Sequence, residues 1–275
     1  MQNKIPTVVI TRPEKQAQIW SGKLRQENIA SQIMSLMEIK PFCMEGGDNE
    51  LAIRSIKNIM LELDRYQKII FVSQNAVEQG MEWIENYWPQ IPLGVDFFAV
   101  GETTANLLRS YGVRVQDLAI TTEGNMTSES LLRATGLQQV AGEKILIMRG
   151  VGGRGHLAEG LKDRGATPTY CEVYKRQIPA EAKETITKWL AALHQQERHW
   201  LLAFHSGETM NNFYQLLMDA DKQNQIESVQ KLTLLVPSSR LGNDAKKMGF
   251  HECLVAENAT DDAMTIAAKH YFRSI

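Results

Sequence analysis

The residues best suited to chemistry form one glycine- and arginine-rich segment, Arg149-Gly150-Val151-Gly152-Gly153-Arg154. Its three glycines let the backbone approach a ligand closely, and its two arginines can grip a carboxylate or phosphate through paired N–H donors. Gly150, Gly152 and Gly155 also fit the letters of a dinucleotide-binding pattern, although that pattern belongs to a first strand–helix unit. The alternative is a glycine-rich turn with surface arginines. The segment favours a site for an anionic ligand.

Small polar residues and arginine also follow several short apolar runs. These candidate binding residues are Arg12, Ser73, Gly101, Thr104, His205, Ser206, Ser238 and Ser239. Loops at the carboxyl ends of parallel strands are where open α/β folds place ligands, and helix N-termini attract anions. For any single loop, ordinary N-capping by Ser or Thr is the alternative. The whole set favours an anionic ligand.

Tyr174 stands beside Lys175 and Arg176 in an extended segment that precedes Pro179. A phenol can act as an acid or as a hydrogen-bond donor in catalysis. The alternative is a packing tyrosine whose hydroxyl faces water, and the residues alone favour that alternative.

The elements that must position these residues are short apolar runs separated by helical patterns. Runs without polar alternation indicate strands buried on both faces, as in a parallel sheet covered by helices. The predicted strands are Thr7–Ile10, Lys68–Val72, Val95–Val100, Lys144–Met148, Trp200–Phe204 and Leu232–Val236. The predicted helices are Glu14–Glu27, Glu102–Ser110, Leu157–Arg164 and Asp244–Met248. Alternation of short strands and helices predicts the α/β class.

An internal repeat organises the chain. Four blocks recur in the same order, about 133 to 137 positions apart. They are Val9–Arg12 with Leu146–Arg149, Phe71–Asn75 with Phe204–Glu208, Val100–Thr104 with Leu235–Ser239, and Asn125–Leu131 with Asn258–Met264. We therefore expect two similar α/β domains with parallel sheets, and a ligand cleft between them.

Composition narrows the function classes. The 275 residues are 43% hydrophobic and 23% charged, with a formal net charge of -2, which argues against a dedicated nucleic-acid binder. Cys43, Cys171 and Cys253 are far apart and predict reduced thiols. The opening residues lack the apolar core of a signal peptide, and no run reaches membrane-spanning length. We expect a soluble, cytoplasmic, monomeric protein. The histidines complete no ligand set, so no metal is predicted.

These motifs together resemble the uroporphyrinogen-III synthase family along nearly the whole chain. The similarity lies in the opening Val-Ile-Thr-Arg-Pro strand, Phe71–Glu78, Ala99–Ala105, the Arg149–Arg154 segment, and Tyr174-Lys175-Arg176. The chain departs from the family pattern at Gly155-His156, at His205 and at Ser238-Ser239. These departures affect the expected roles of individual site residues.

The resemblance implies a cofactor-independent enzyme of tetrapyrrole biosynthesis. Such an enzyme cyclises hydroxymethylbilane, loses water and inverts the last pyrrole ring through a spiro intermediate. It implies Tyr174 and Thr104 as catalytic residues, and Ser73 and Ser206 as residues that face the substrate. We add Arg12, Arg149 and Arg154 as carboxylate ligands. Residues 1–38 with 178–275 would form one domain and 43–170 the other, joined by two strands at about 39–42 and 171–177.

Two other functions stay open on the sequence. One is a non-catalytic tandem α/β module that binds an anionic small molecule. The other is a nucleotide-using enzyme, which rests on the glycine-rich segment alone. The enzyme that the resemblance implies accounts for more of the candidate site residues than either of these two functions does.

Overall fold

The computed structural model describes residues 4–44, 49–116, 128–193, 198–220 and 225–274. The chain divides into two compact units. The first unit combines Met1–Glu38 with Gln177–Ile275, and the second consists of Ile39–Arg176. The fourth repeated block begins outside the described residues.

The first unit contains a parallel sheet with helices on both faces. Among the described residues its strands are β1 (Ile5–Ile10), β2 (Ala30–Ile33), β8 (Arg198–Ala203), β9 (Thr233–Val236) and β10 (Glu252–Val255). They are ordered β10-β9-β8-β1-β2. Its helices are α1 (Glu14–Gln26), α7 (Ala182–Ala192), α8 (Gly207–Ala220), α9 (Ile226–Gln230), α10 (Ser239–Lys247) and α11 (Asp261–Ser274).

The second unit repeats this design. In the part of the chain that the structure describes, its strands are β3 (Glu38–Pro41), β4 (Lys68–Phe71), β5 (Asp96–Ala99), β6 (Lys144–Gly150) and β7 (Thr167–Gln177). Their order is β3-β7-β6-β4-β5. Its helices are α2 (Glu50–Leu61), α3 (Gln74–Tyr87), α4 (Glu102–Ser110), α5 (Ser128–Leu131) and α6 (His156–Lys162), with 3-10 turns at Leu63–Arg65 and Thr135–Leu137.

The order of the strands follows the sequence repeat. Read from one edge, β2-β1-β8-β9 in the first sheet corresponds to β7-β6-β4-β5 in the second. The repeated blocks pair β1 with β6, β8 with β4 and β9 with β5. The predicted α/β class with two similar parallel sheets is confirmed.

The apolar runs are buried on both faces of each sheet, as their lack of polar alternation predicts. In the first unit, Val9 packs with Trp189 and Phe213 on one face, while Val8 packs with Trp20 on the other. The second sheet is covered in the same way by two separate apolar clusters. Within the described ranges, every helix is too short or too polar to cross a lipid bilayer.

Two helical glycines differ in the space around them and give a matched test of packing. Gly22 in α1 has open space where a side chain would begin. In α6, a Cβ at Gly160 would lie 2.6 Å from Leu132 Cδ1, in a buried cluster. We expect Gly22→Ala to raise the free energy of unfolding by about 0.5–1 kcal/mol, because alanine loses less backbone entropy in a helix. Gly160→Ala should lower it by about 1–3 kcal/mol through overpacking.

Urea denaturation of both variants and the parent chain checks this prediction. Gly160→Ala as stable as the parent would contradict the packing described for α6.

Candidate active site

A cavity of about 240 Å³ lies in the second unit, where β4, β6 and β7 end. Strand ends, the glycine-rich segment and β7 all contribute to its walls. The lining residues are Val72, Ser73, Ile147, Arg149, Gly150, Gly152, Gly153, Arg154, Leu157, Tyr170, Tyr174 and Arg176. The cavity therefore combines apolar side chains, two phenols, a hydroxyl and three guanidinium groups.

A β-bulge sets the position of Tyr174. Arg149 on β6 pairs with Glu172 on β7, but the next residue, Gly150, pairs with Tyr174, so that β7 has one extra residue here. Bulges re-aim side chains and are frequent next to active sites. The Tyr174 ring lies against Gly150, where a Cβ would be 2.5 Å from Cε2 of the ring. Only glycine at position 150 leaves room for this ring.

The Tyr174 hydroxyl lies 3.1 Å from Oγ of Ser73, and either oxygen can be the donor. Ser73 directly precedes α3 and its Oγ also accepts a hydrogen bond of 3.1 Å from the Ala76 N–H. Because Tyr174 is only 4% exposed, its hydroxyl meets a ligand only inside the cavity. The pair presents an O–H donor held at a defined place.

The glycine-rich loop is held against β7 by two backbone N–H groups. The Val151 N–H donates to the Tyr174 carbonyl at 2.8 Å, and the Gly152 N–H donates to Oε1 of Glu172 at 3.2 Å. Gly152 and Gly153 have φ of +74° and +93°, in the left-handed region that residues other than glycine rarely adopt. The glycines in this segment are thus required by the shape of the loop.

The cysteine nearest to the site is not a nucleophile. Cys171 lies on β7 and is fully buried. Burial, with a smaller contribution from the charge of Glu172, raises the pKa of its thiol to about 12. Because the thiolate is the reactive form, Cys171 is inert at neutral pH. No three His, Cys, Asp or Glu side chains of the described residues are grouped so that they could hold a metal ion.

The structure brings most of the predicted residues of the second unit together. Ser73, the Arg149–Arg154 segment with its glycines, and Tyr174 line one cavity. Gly101 and Thr104 follow β5, which lies beside β4 at the sheet edge, and they do not line this cavity. Gly101 precedes α4 with φ of +88°, and Thr104 is buried inside that helix.

The predicted residues of the first unit lie at the strand ends of its own sheet. Arg12 forms an ion pair with Asp261, the first residue of α11, so its guanidinium is engaged by the protein. Oγ of Ser206 accepts a hydrogen bond from the Thr209 N–H, and Oγ of Ser238 accepts one from the Leu241 N–H. Ser239 begins α10. N-capping, the ordinary alternative, therefore accounts for Ser206 and Ser238.

Comparisons with known proteins show the family of this chain. The family model described as Uroporphyrinogen-III synthase HemD matches residues 19–266. The chain belongs to the uroporphyrinogen-III synthase family. It is 28% identical over 262 residues to the uroporphyrinogen-III synthase of Escherichia coli strain K12, covering 94% of this chain and 98% of that one. The Salmonella typhimurium strain LT2 enzyme is 27% identical over 259 residues, with the same coverage.

Solved structures of this family share the fold. A mutant uroporphyrinogen III synthase from Thermus thermophilus has a TM-score of 0.61 at 14% identity and covers 98% of this chain and 100% of its own. The uroporphyrinogen-III synthetase from Helicobacter pylori 26695 has a TM-score of 0.57 at 12% identity, covering 97% and 99%. The resemblance found in the motifs is confirmed.

Five residues of the cavity lining are absent from the predicted site residues: Val72, Ile147, Leu157, Tyr170 and Arg176. Tyr170 and Arg176 lie on β7 with Tyr174, at even spacings from it. The bulge between Glu172 and Tyr174 shifts the alternation of faces along β7, so spacing on the strand alone does not identify Tyr170 as a neighbour of Tyr174. Sequence reasoning also did not pair Arg12 with Asp261, because those residues are far apart in the chain.

The side chain of His205 is buried in the first unit. Its side chain is 8% exposed, and its ring packs edge-on against Trp20 with 4.7 Å between centroids. Nε2 lies 3.9 Å from Oδ1 of Asp261, which is already paired with Arg12. Burial, and then the positive charge of Arg12, lower the pKa of His205 to about 3.

This lowered pKa predicts an acid sensitivity. The unfolded chain takes up a proton at His205 below pH 6.5, the ordinary pKa, whereas the folded chain does so only near pH 3. The stabilisation is therefore complete above pH 6.5 and is lost as the pH falls towards 3, by at most about 1.4 kcal/mol per pH unit. His205→Gln should have a shallower loss of stability between pH 6.5 and 4.5.

Urea midpoints at four pH values from 7.5 to 4.5 give the measurement. The control is His270→Gln, which removes an exposed histidine of the same unit and should keep the parent slope. Parallel slopes for parent and His205→Gln would show that the buried imidazole does not cause the acid sensitivity.

Proposed function

We propose that this chain converts hydroxymethylbilane into uroporphyrinogen III in tetrapyrrole biosynthesis, and that the reacting ring binds in the cavity of the second unit. The observation that carries the proposal is the hydroxyl of Tyr174, 3.1 Å from Oγ of Ser73, inside a cavity also lined by Arg149, Arg154 and Arg176. The hydroxyl supplies a proton donor for the loss of water. The arginines supply positive charge for a substrate that is rich in carboxylates.

Tyr174 is the proposed acid. The hydroxyl of the hydroxymethyl group is a poor leaving group until it receives a proton or a strong hydrogen bond. As the C–O bond breaks, electrons of the pyrrole ring form the azafulvene, and the oxygen leaves as water. The substituted carbon of the last ring then attacks the azafulvene carbon that carried the hydroxyl, and this bond gives the spiro intermediate. Apolar walls at Val72, Ile147 and Leu157 keep the local dielectric low and strengthen the hydrogen bond from Tyr174.

The other residues of the cavity orient the substrate. A flexible linear tetrapyrrole must be folded so that the correct carbon of the last ring attacks, and orientation alone can supply a large part of such a rate. At about 240 Å³ the cavity is smaller than the ~300–1,000 Å³ of typical ligand pockets, so we assign it one pyrrole ring with its acid side chains. The exposed Arg154 is the proposed carboxylate ligand.

The remaining strand-end residues stay predictions. Thr104 is predicted as a catalytic residue, and the residues predicted to contact the other rings are Gly101, Arg12, His205, Ser206, Ser238 and Ser239. Among them, Arg12 would have to exchange its partner Asp261 for a substrate carboxylate.

We also infer a cytoplasmic monomer that needs no cofactor. Three unpaired cysteines suit a reducing compartment, and a net charge of -2 gives no overall attraction for nucleic acid. A mass near 31.1 kDa by light scattering would support the monomer, and twice that mass would overturn it. The relatives matched over almost the whole chain are synthases, which favours an enzyme over the non-catalytic anion-binding module.

The direct test is product analysis. Purified chain is incubated with fresh hydroxymethylbilane and no added cofactor, and the uroporphyrin isomers are resolved after oxidation. We expect mostly isomer III. Isomer I alone, the product of spontaneous closure, from demonstrably folded protein would overturn the proposed function and favour the anion-binding module.

Tyr174→Phe tests the acid. The ring and its packing on Gly150 are kept, while the hydroxyl is lost, so we expect kcat to fall about 10- to 100-fold with little change in KM. The control is Tyr87→Phe, which removes a phenol hydroxyl from a residue that stacks on Trp83, outside the cavity lining. Equal kcat values for the two variants would remove Tyr174 from the mechanism.

A further inference from the structure

The side chain of Arg149 is directed back onto the loop that it precedes. Arg149 is 8% exposed, although it lies beside a cavity. Its Nε donates to the carbonyl of Gly150 at 3.2 Å, and its Nη1 makes a longer contact of 3.4 Å with the carbonyl of Arg154. One guanidinium therefore connects the two ends of the segment 150–154.

This guanidinium also lies close to an aromatic ring and to a glycine. Its central carbon lies 4.5 Å from the centre of the Tyr170 ring, which is a cation–π distance. On Gly153, a Cβ would collide with Nη2 of Arg149. The guanidinium thus lies against an aromatic ring, and its Nη2 occupies space that a side chain at position 153 would need.

The loop is held on its other side by β7. The Val151 N–H bonds to the Tyr174 carbonyl and the Gly152 N–H bonds to Glu172. These contacts join the loop to the strand that carries Tyr174. A loop displaced from β7 would lose the fixed distance between its backbone and the Tyr174 hydroxyl.

We propose that Arg149 is a positioning residue that holds the 150–154 loop in register with Tyr174, and that Arg154 supplies the charge for the substrate. This role of Arg149 rests on the proposed function in the activity measurements only, and the exchange measurements are independent of that function. A planar guanidinium can lie flat on Tyr170 and reach two carbonyls at once, whereas the compact ammonium of lysine cannot do both. Charge alone therefore does not replace Arg149.

The test measures the loop in the absence of substrate. Hydrogen–deuterium exchange reports how often the Val151 and Gly152 N–H groups open. We expect Arg149→Lys and Arg149→Gln alike to speed exchange in this loop about tenfold, with no change in the core strand β4. Arg154→Gln is the matched control and should leave loop exchange unchanged, because Arg154 contributes only its carbonyl to the contacts of Arg149.

Activity of the same variants separates the two roles. Both substitutions at Arg149 should lower kcat by about 10-fold or more, because the loop no longer orients the ring, whereas Arg154→Gln should act mainly on KM. Unchanged loop exchange in both Arg149 variants would overturn the proposal, as would an Arg149→Lys that keeps full kcat. Faster exchange throughout β4 would also overturn it, since Arg149 would then stabilise the whole unit.

A second variant covers the case in which the Arg149 variants do not fold. Tyr170→Leu keeps Arg149 but removes the ring beneath it, and the same local rise in loop exchange is expected. Failure of the parent chain to make isomer III would remove the proposed function while the exchange result would still decide the role of Arg149.

Discussion

The Tyr174 ring occupies the space that a side chain at position 150 would need, and the geometry of the proposed active site depends on this contact. Gly150 admits the ring, the bulge in β7 brings Tyr174 opposite it, and the hydroxyl then reaches Ser73 at the start of α3. The loop that follows Gly150 is fixed to the same strand through Val151 and Gly152. In the proposed function, substrate orientation and proton donation are therefore set by one pair of neighbouring strands.

The two repeated units have diverged at the corresponding positions. Met37 follows Arg12 at the same spacing as Tyr174 follows Arg149, so the first unit has a thioether where the second has a phenol. Arg12 pairs with Asp261, and His205 is enclosed beside them. In the second unit the equivalent arginine holds a glycine-rich loop next to a cavity. The repeat thus supplies two similar sheets, of which the second carries the cavity that Tyr174 lines and that we propose as the active site.

Much of the fold followed from the sequence because its signals are local. Apolar runs such as Lys68–Phe71 predict strands without reference to partners, and the six predicted strands are present within about two residues at each end. The short edge strands β2 and β10 were missed, since their half-buried residues form no apolar run. The bulge and the ion pair of Arg12 depend on contacts between distant segments, which spacing does not encode. For the same reason the sequence predicted Arg149 as a carboxylate ligand and gave no sign of its contacts with the carbonyl groups of Gly150 and Arg154.

The central claim is that the second unit carries the acid chemistry, and one pair of serines tests it most directly. Ser73 and Ser206 occupy equivalent places in the repeat, and each caps the helix that follows, but Ser73 also bonds to the Tyr174 hydroxyl. Alanine at either position should cost about 1 kcal/mol of stability through the lost cap. The measurement is kcat for isomer III formation in Ser73→Ala and Ser206→Ala. We predict a fall of about tenfold in kcat in Ser73→Ala and little change in kcat in Ser206→Ala, where a lost contact with another ring would raise KM instead. A larger fall in Ser206→Ala would contradict the account.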